Sequence, residues 1–174
     1  MANCLMSLTG IPYACETNLA GVKRLYLIDW NHVNSVTLDV SNNSISGISL
    51  ENSEKFKKYV FAKNTGALTK TLTKDDSKGT KYYLNEFTCN FNRMDPVKRK
   101  ELETLASGQI AAIVEDMNGF YWFLGKDNYT TVTALTAQSG ATTDDGNFYT
   151  LTIQDKSGQL PYTIDSSAID GILE

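Results

Sequence analysis

Asp95 to Gly125, DPVKRKELETLASGQIAAIVEDMNGFYWFLG, writes a capped helix, a buried strand, a turn and an aromatic strand without a break. Asp95 can accept from the free backbone N–H groups of a first helical turn, and Pro96 suits the next position because its fixed φ is helical and its missing N–H is not needed there. Leu102, Leu105 and Ala106 recur at spacings of three and four, predicting one narrow apolar stripe opposite Lys98, Arg99, Glu101 and Glu103. Gly108 then offers the left-handed conformation that ends many helices. Ile110 to Val114 is an unbroken run of small and β-branched residues, which predicts a strand covered on both faces. Asp116-Met117-Asn118-Gly119 supplies a turn, and Phe120 to Leu124 resumes a strand.

Around this block the rhythm is that of a β protein: turn residues punctuate runs rich in Thr, Val, Ile, Tyr and Phe. Val22 to Trp30 reads as a strand with Leu25, Leu27 and Asp29 on one face and Tyr26, Ile28 and Trp30 on the other. Val33 to Val40 and Ser44 to Leu50 form a hairpin around Ser41-Asn42-Asn43. Glu54 to Lys63 alternates imperfectly. Lys81 to Phe91 alternates well, with Tyr83, Phe87, Cys89 and Phe91 on one face and Glu86, Thr88 and Asn90 on the other, as expected of a sheet wet on one side. Between these two lies Asn64 to Gly79, polar and rich in Thr and Lys, either a long hairpin tip or a mobile loop. Thr130 to Leu135 and Phe148 to Gln154 are further strands flanking Thr136 to Gly146. The tail from Leu160 is too apolar to be disordered and too short to fold alone, so it needs a surface on this subunit or a neighbour. The segment 1–20 has the same character. The fold class is therefore mainly β, an antiparallel sandwich or open barrel with one short helix, in a single domain spanning 1–174.

The chain has 174 residues, enough to bury a core without disulfides or metal, and a net charge of −4. That balance argues against a protein that grips nucleic-acid backbone, and the basic clusters Lys55/Lys57/Lys58 and Lys98/Arg99/Lys100 are short and interleaved with Glu. Cys4, Cys15 and Cys89 are odd in number and lack close pairing, which predicts reduced thiols. No signal peptide or apolar run of membrane-spanning length is evident, so synthesis in a cytoplasm without membrane insertion is expected.

Sites of chemistry are scarce. His32 is the single histidine and follows a strand in a turn. No nucleophile elbow, zincin or phosphate-loop motif occurs. Asp75/Asp76, Glu115/Asp116 and Asp144/Asp145 are acid pairs of the kind that face water in turns or opposite sides of a strand. Asp144-Asp145-Gly146-Asn147 lacks the spacing that closes a calcium loop. Neither a cofactor nor a catalytic or metal site is predicted, and the expectation is a non-enzymatic protein.

The opening GIPYAC with LAGVKRLYLID, the block LETLASGQIAAIVEDMNGFYWFLG, the segment TALTAQSGATTDDGNFYTLTIQD and the extended C-terminal arm resemble a family of virion proteins from tailed phages of gut Bacteroidetes, assigned as tail tube (major tail) proteins. The resemblance covers most of the chain in order, and Ile113 to Asp116, Asn118-Gly119 and Tyr121 to Gly125 are its most specific parts. It implies a homo-oligomer in the virion tail: sheets from six subunits close a barrel around a lumen through which DNA passes without being held, and the rings stack and meet other tail proteins. Expected lumen-facing residues are Glu86, Thr88 and Asn90, on lining strands Glu54 to Lys63 and Lys81 to Phe91. Expected assembly-loop residues are Lys70, Lys74, Asp75 and Asp76; arms 1–20 and 156–174 lock copies together, with Leu160, Tyr162, Ile164 and Ile169 docking the second. The alternatives are another virion part (head–tail connector, tail terminator or capsid decoration protein) and a carbohydrate-binding sandwich using Tyr121, Trp122 or Tyr129.

Overall fold

A computed structural model describes residues 8–174; Cys4 and the start of the N-terminal arm lie outside them. Among the described residues eleven strands form two sheets. The larger is built on β1 (Val22–Asp29), β7 (Ile110–Asp116) and β8 (Tyr121–Leu124), and it continues through β11 (Thr163–Ile164), β3 (Ser44–Leu50) and β2 (Val33–Asp39) on one side and β4 (Lys57–Tyr59) on the other. The smaller has four strands in the order β5 (Ala67–Asp75), β6 (Thr80–Asn92), β10 (Phe148–Ser157), β9 (Thr131–Gln138). A single 3₁₀ turn, Trp30–His32, and two helices, α1 (Pro96–Ser107) and α2 (Ser166–Ile169), complete the described residues. The expected β-sandwich with a short helix is the observed architecture.

The continuous run Ile110 to Val114 is buried on both sides because two cores meet at β7. Ile110, Ala112 and Val114 join Leu25, Leu27, Phe87, Cys89, Leu151 and Ile153 between the sheets, where Leu102 and Leu105 of α1 seal one edge. Ala111 and Ile113 face the other way, onto Tyr26, Ile28, Phe56, Phe123 and Ile45. Period-two alternation on β1 thus feeds both cores, as the sequence predicts. The turn at Asp116 closes by accepting the N–H groups of Asn118 and Phe120, both at 2.9 Å, and Gly119 takes φ +88°.

Helix α1 is capped as read: Asp95 Oδ1 accepts from Lys98 N at 2.8 Å, and this bond, with the Lys98 ammonium, holds the Asp95 carboxyl below its ordinary range. Two details differ. Ala106 is exposed, so the stripe reduces to Leu102 and Leu105. Gly108 is extended (φ −98°, ψ 171°) rather than left-handed, because the chain must run straight into β7 after one intervening residue.

Glu54 to Lys63 shrinks to the three-residue β4, paired with β1 in the seven-stranded sheet, so it does not share a lining face with Lys81 to Phe91, which lies in the other sheet. Its imperfect alternation has a cause: Phe56 turns into the second core and pairs with Leu173, while Phe61 packs between the sheets. Asn64 to Gly79 is the first arm and turn of the long β5–β6 hairpin, in register from Ala67↔Thr88 to Asp75↔Thr80. The C-terminal tail finds its surface on its own chain. Strand β11 lies parallel to β3 and antiparallel to β8, and Ile164 and Ile169 are buried.

Candidate assembly surfaces

One face of the four-stranded sheet packs inward and the other forms a polar ladder. On β6 and β10 the outward rows are Leu84, Glu86, Thr88, Asn90 and their partners Lys156, Gln154, Thr152, Thr150. Thr88 Oγ1 and Thr152 Oγ1 lie 3.1 Å apart, Thr150 Oγ1 donates to Asn90 Oδ1 at 2.8 Å, and Gln154 Nε2 donates to Glu86 Oε2. Three of these four rungs join neighbouring strands through side chains, and Glu86 and Lys156 are the charged members of the two rows. Register adds Thr69, Thr71 and Thr73 from β5 and Ala134 and Thr136 from β9. The three residues singled out from alternation, Glu86, Thr88 and Asn90, therefore share one face and are half-exposed there.

The two borders of this sheet are open. Among the described residues β5 pairs only with β6, and β9 only with β10. Strand β9, TVTALTAQ, has eight residues with neither a charge nor a proline. Proteins normally blunt such an edge with lysine, proline or a covering element, because its unpaired N–H and C=O groups template further strands. The sequence pattern alone does not reveal this, since an edge strand and an internal one have the same alternation.

The residues of Asn64 to Gly79 divide. Lys74, Asp75 and Asp76 lie at the exposed tip of the β5–β6 hairpin, where Asp75 Oδ1 accepts from Ser77 and Lys78 and is held below its ordinary range by those bonds. Lys70 is not in a loop. It lies on β5 with its ammonium 2.9 Å from the ring centre of Trp122, whose Nε1 donates to Asp116 Oδ2 at 2.9 Å. Burial lowers the Lys70 amine to about 8 against the opposing pull of Asp116. Trp122 is half-buried with this cation on its ring, so it does not offer a free stacking platform. Of the C-terminal residues, Leu160 is exposed, Tyr162 half-exposed, and Ile164 and Ile169 are consumed within the chain's own core.

The acid pairs are structural. Glu115 is buried and takes Lys23 Nζ at 2.8 Å and Arg24 at 3.4 Å. Asp145 Oδ2 accepts from Ala141 N and Thr142 N, which ties its own loop and lowers its pKa. Asp155 is a buried carboxylate that sequence reading missed. It accepts from Asn85 Nδ2 at 3.3 Å, and burial raises its pKa. Cys15 is exposed and Cys89 buried, both as free thiols. Among the described residues no cluster of His, Cys, Asp and Glu is arranged to hold a metal, and no helix is long and apolar enough to cross a membrane.

Comparison with protein-family models, with curated proteins and with solved structures gives no match.

Proposed function

We propose that this chain is a virion structural protein, the tail-tube subunit of a tailed phage, which assembles into stacked hexameric rings forming a conduit for DNA. The observation that carries the reading is the uncharged, proline-free edge of β9 opposite the open edge of β5 on the same four-stranded sheet. An edge on each border is what a head-to-tail contact between identical copies needs, and such a contact closes into a ring when the rotation closes. Six copies would place about 24 strands in one barrel, roughly 50 Å across at ordinary strand spacing and tilt.

The face such a barrel turns to its lumen is the Glu86–Thr88–Asn90 ladder. Hydroxyls and amides bonded to one another, with Lys156 the one cation on the β6 and β10 rows and a net negative chain, give DNA phosphates little to hold and let the polymer slide. The resemblance in Asp95 to Gly125 supports the same reading and makes that block the rigid backing of the lining sheet.

The test is the mass of the purified chain in solution as concentration rises. Assembly to a discrete ring mass, lost when Thr133 and Ala137 on β9 are both changed to Lys, is the expected result. A chain that stays monomeric at millimolar concentration refutes the reading.

A further inference from the structure

Where the inter-sheet core ends, one row of the four-stranded sheet is polar instead of apolar. Lys70 of β5 lies opposite Asn85 of β6, and Asn85 lies opposite Asp155 of β10. The neighbouring row on the same face is Leu68, Phe87 and Ile153, which pack between the sheets, so the three polar side chains point inward as well. Asn85 is 0% and Asp155 5% exposed, deeper than such side chains usually lie. Directly opposed residues of an antiparallel pair hold their Cβ atoms about 4.5–5.5 Å apart, which puts the Asn85 amide within the sweep of the Lys70 stem.

Each member of the row is prepared for amide chemistry. Asn85 Nδ2 donates to Asp155 Oδ2 at 3.3 Å and to Ser157 Oγ at 3.0 Å, while Asn85 Oδ1 is buried without a hydrogen-bond partner. Buried polar atoms are nearly always satisfied, so this carbonyl marks an unfinished arrangement inside the sandwich. Burial raises the pKa of Asp155, and the nearby Asp127 adds to the rise, so its carboxyl group can hold a proton. Among the described residues the Lys70 ammonium makes no salt bridge; it lies on the Trp122 ring, and burial lowers it to about 8. A desolvated amine that is partly neutral is a nucleophile, and a carboxyl group on the reacting amide can carry the proton. Groups held together in this way react with effective molarities of about 10⁵–10⁸ M once they are aligned.

We infer that Lys70 and Asn85 are a cross-linking pair, which joins β5 to β6 by an amide bond from Lys70 Nζ to Asn85 Cγ, with Asp155 as the proton carrier. The Nζ–Cγ bond forms and the Cγ–Nδ2 bond breaks. Asp155, already against Nδ2, gives its proton to the departing nitrogen and takes one from Nζ, so ammonia leaves and Asp155 ends as it began. No oxidant or further reactant enters. The amine must first swing off Trp122 toward its register partner, so closure is slow. The freshly folded chain is the unreacted form, in which Lys70 and Asp155 both titrate. Once closed, the bond staples β5, an edge strand, to the interior of its sheet. It forms within one chain and does not rest on the assembly proposed above.

Mass spectrometry of the full-length chain tests this. One portion is denatured directly after purification, a second is held folded for days in mildly alkaline buffer, and a third is held unfolded in urea. The expected result is the loss of one ammonia in the folded portion alone. Trypsin should then release peptide 64–74, uncut after Lys70, joined to peptide 82–93 through Asn85. That branched product distinguishes the bond from ammonia loss at Asn118-Gly119, which cyclises within one peptide. Lys70→Arg, which keeps the charge, and Asp155→Asn, which keeps an acceptor for Asn85, should both hold their full mass under the same treatment. A parent chain at full mass after that time, or ammonia loss without the branched peptide, overturns the inference. Equal closure in Asp155→Asn overturns the part given to Asp155, and the parent's own mass decides the bond even where a variant fails to fold.

Discussion

Leu105→Ala separates the part of Asp95 to Gly125 that holds the subunit together from the parts that are free to assemble. Leu105 is 8% exposed and belongs to the inter-sheet core, yet it also borders the open α1–β4 groove. Removing its isopropyl end, three carbons, forfeits about 2.4 kcal/mol of transfer energy at ~0.8 kcal/mol per methylene. The cavity contribution, ~24 cal/mol per Å³ in enclosed sites, is reduced because water and neighbouring groove atoms can enter. The expected cost is therefore about 2–3 kcal/mol, the low end of the range for Leu→Ala. Leu151→Ala, fully enclosed between the sheets, should cost about 4–5 kcal/mol. Urea unfolding at micromolar concentration, where self-association does not inflate stability, measures both. In a chain of this size the Leu105 change corresponds to a fall in Tm of roughly 6–10 °C. A cost below about 1 kcal/mol, or one equal to that of Leu151→Ala, refutes the placement of α1 as the seal of a core edge beside an open groove.

Four further outcomes follow from the geometry. The Lys70 amine is lowered by burial to about 8, so between about 8 and 10.5 the unfolded chain binds more protons than the folded one; stability should rise across that window, by about 1 kcal/mol after allowance for partial solvent exposure, and Lys70→Met should abolish the slope. Asp155 has the opposite sign: its raised pKa means that stability falls as pH climbs through the window above 3.8, and Asp155→Asn, which keeps an acceptor for Asn85, should match or exceed the parent at pH 7 in chemical unfolding. Gly125→Ala should cost about 1–3 kcal/mol, because φ is +97° and the added carbon would meet Ala111 Cα at 3.3 Å and Ile110 O at 3.4 Å. Glu86→Lys should lower the unfolding free energy by only about 0.5–1.5 kcal/mol, the worth of the bond from Gln154 on the half-exposed outward face; assembled particles of this variant should retain duplex DNA at low salt and release it as salt rises, and parent-like indifference to DNA would place Glu86 away from any lumen.

How much of this was legible in the sequence depends on whether the signal was local. The cap at Asp95, the doubly covered run Ile110 to Val114 and the two faces of Lys81 to Phe91 were readable because each rests on a period or a cap within a few residues. Glu54 to Lys63 misled because Phe56 and Phe61 serve different cores, which breaks the alternation that a strand would show. Lys70 reads as part of a loop because Thr/Lys repeats look solvated, whereas its place beside Trp122 follows from the β5–β6 register and the stacking of the sheets. Nothing in TVTALTAQ announces an open edge, and nothing in Asp155 announces a buried carboxylate. Both depend on which strand lies alongside, over sequence separations that pattern reading does not span.

Electron cryomicroscopy of the purified full-length chain at high concentration tests the central claim most directly. The expected image is a stack of sixfold rings with a hollow centre, in which β5 of each copy pairs with β9 of the next and Glu86, Thr88 and Asn90 face the opening. Particles that remain single subunits, or rings whose lumen is lined by the seven-stranded sheet, would contradict it.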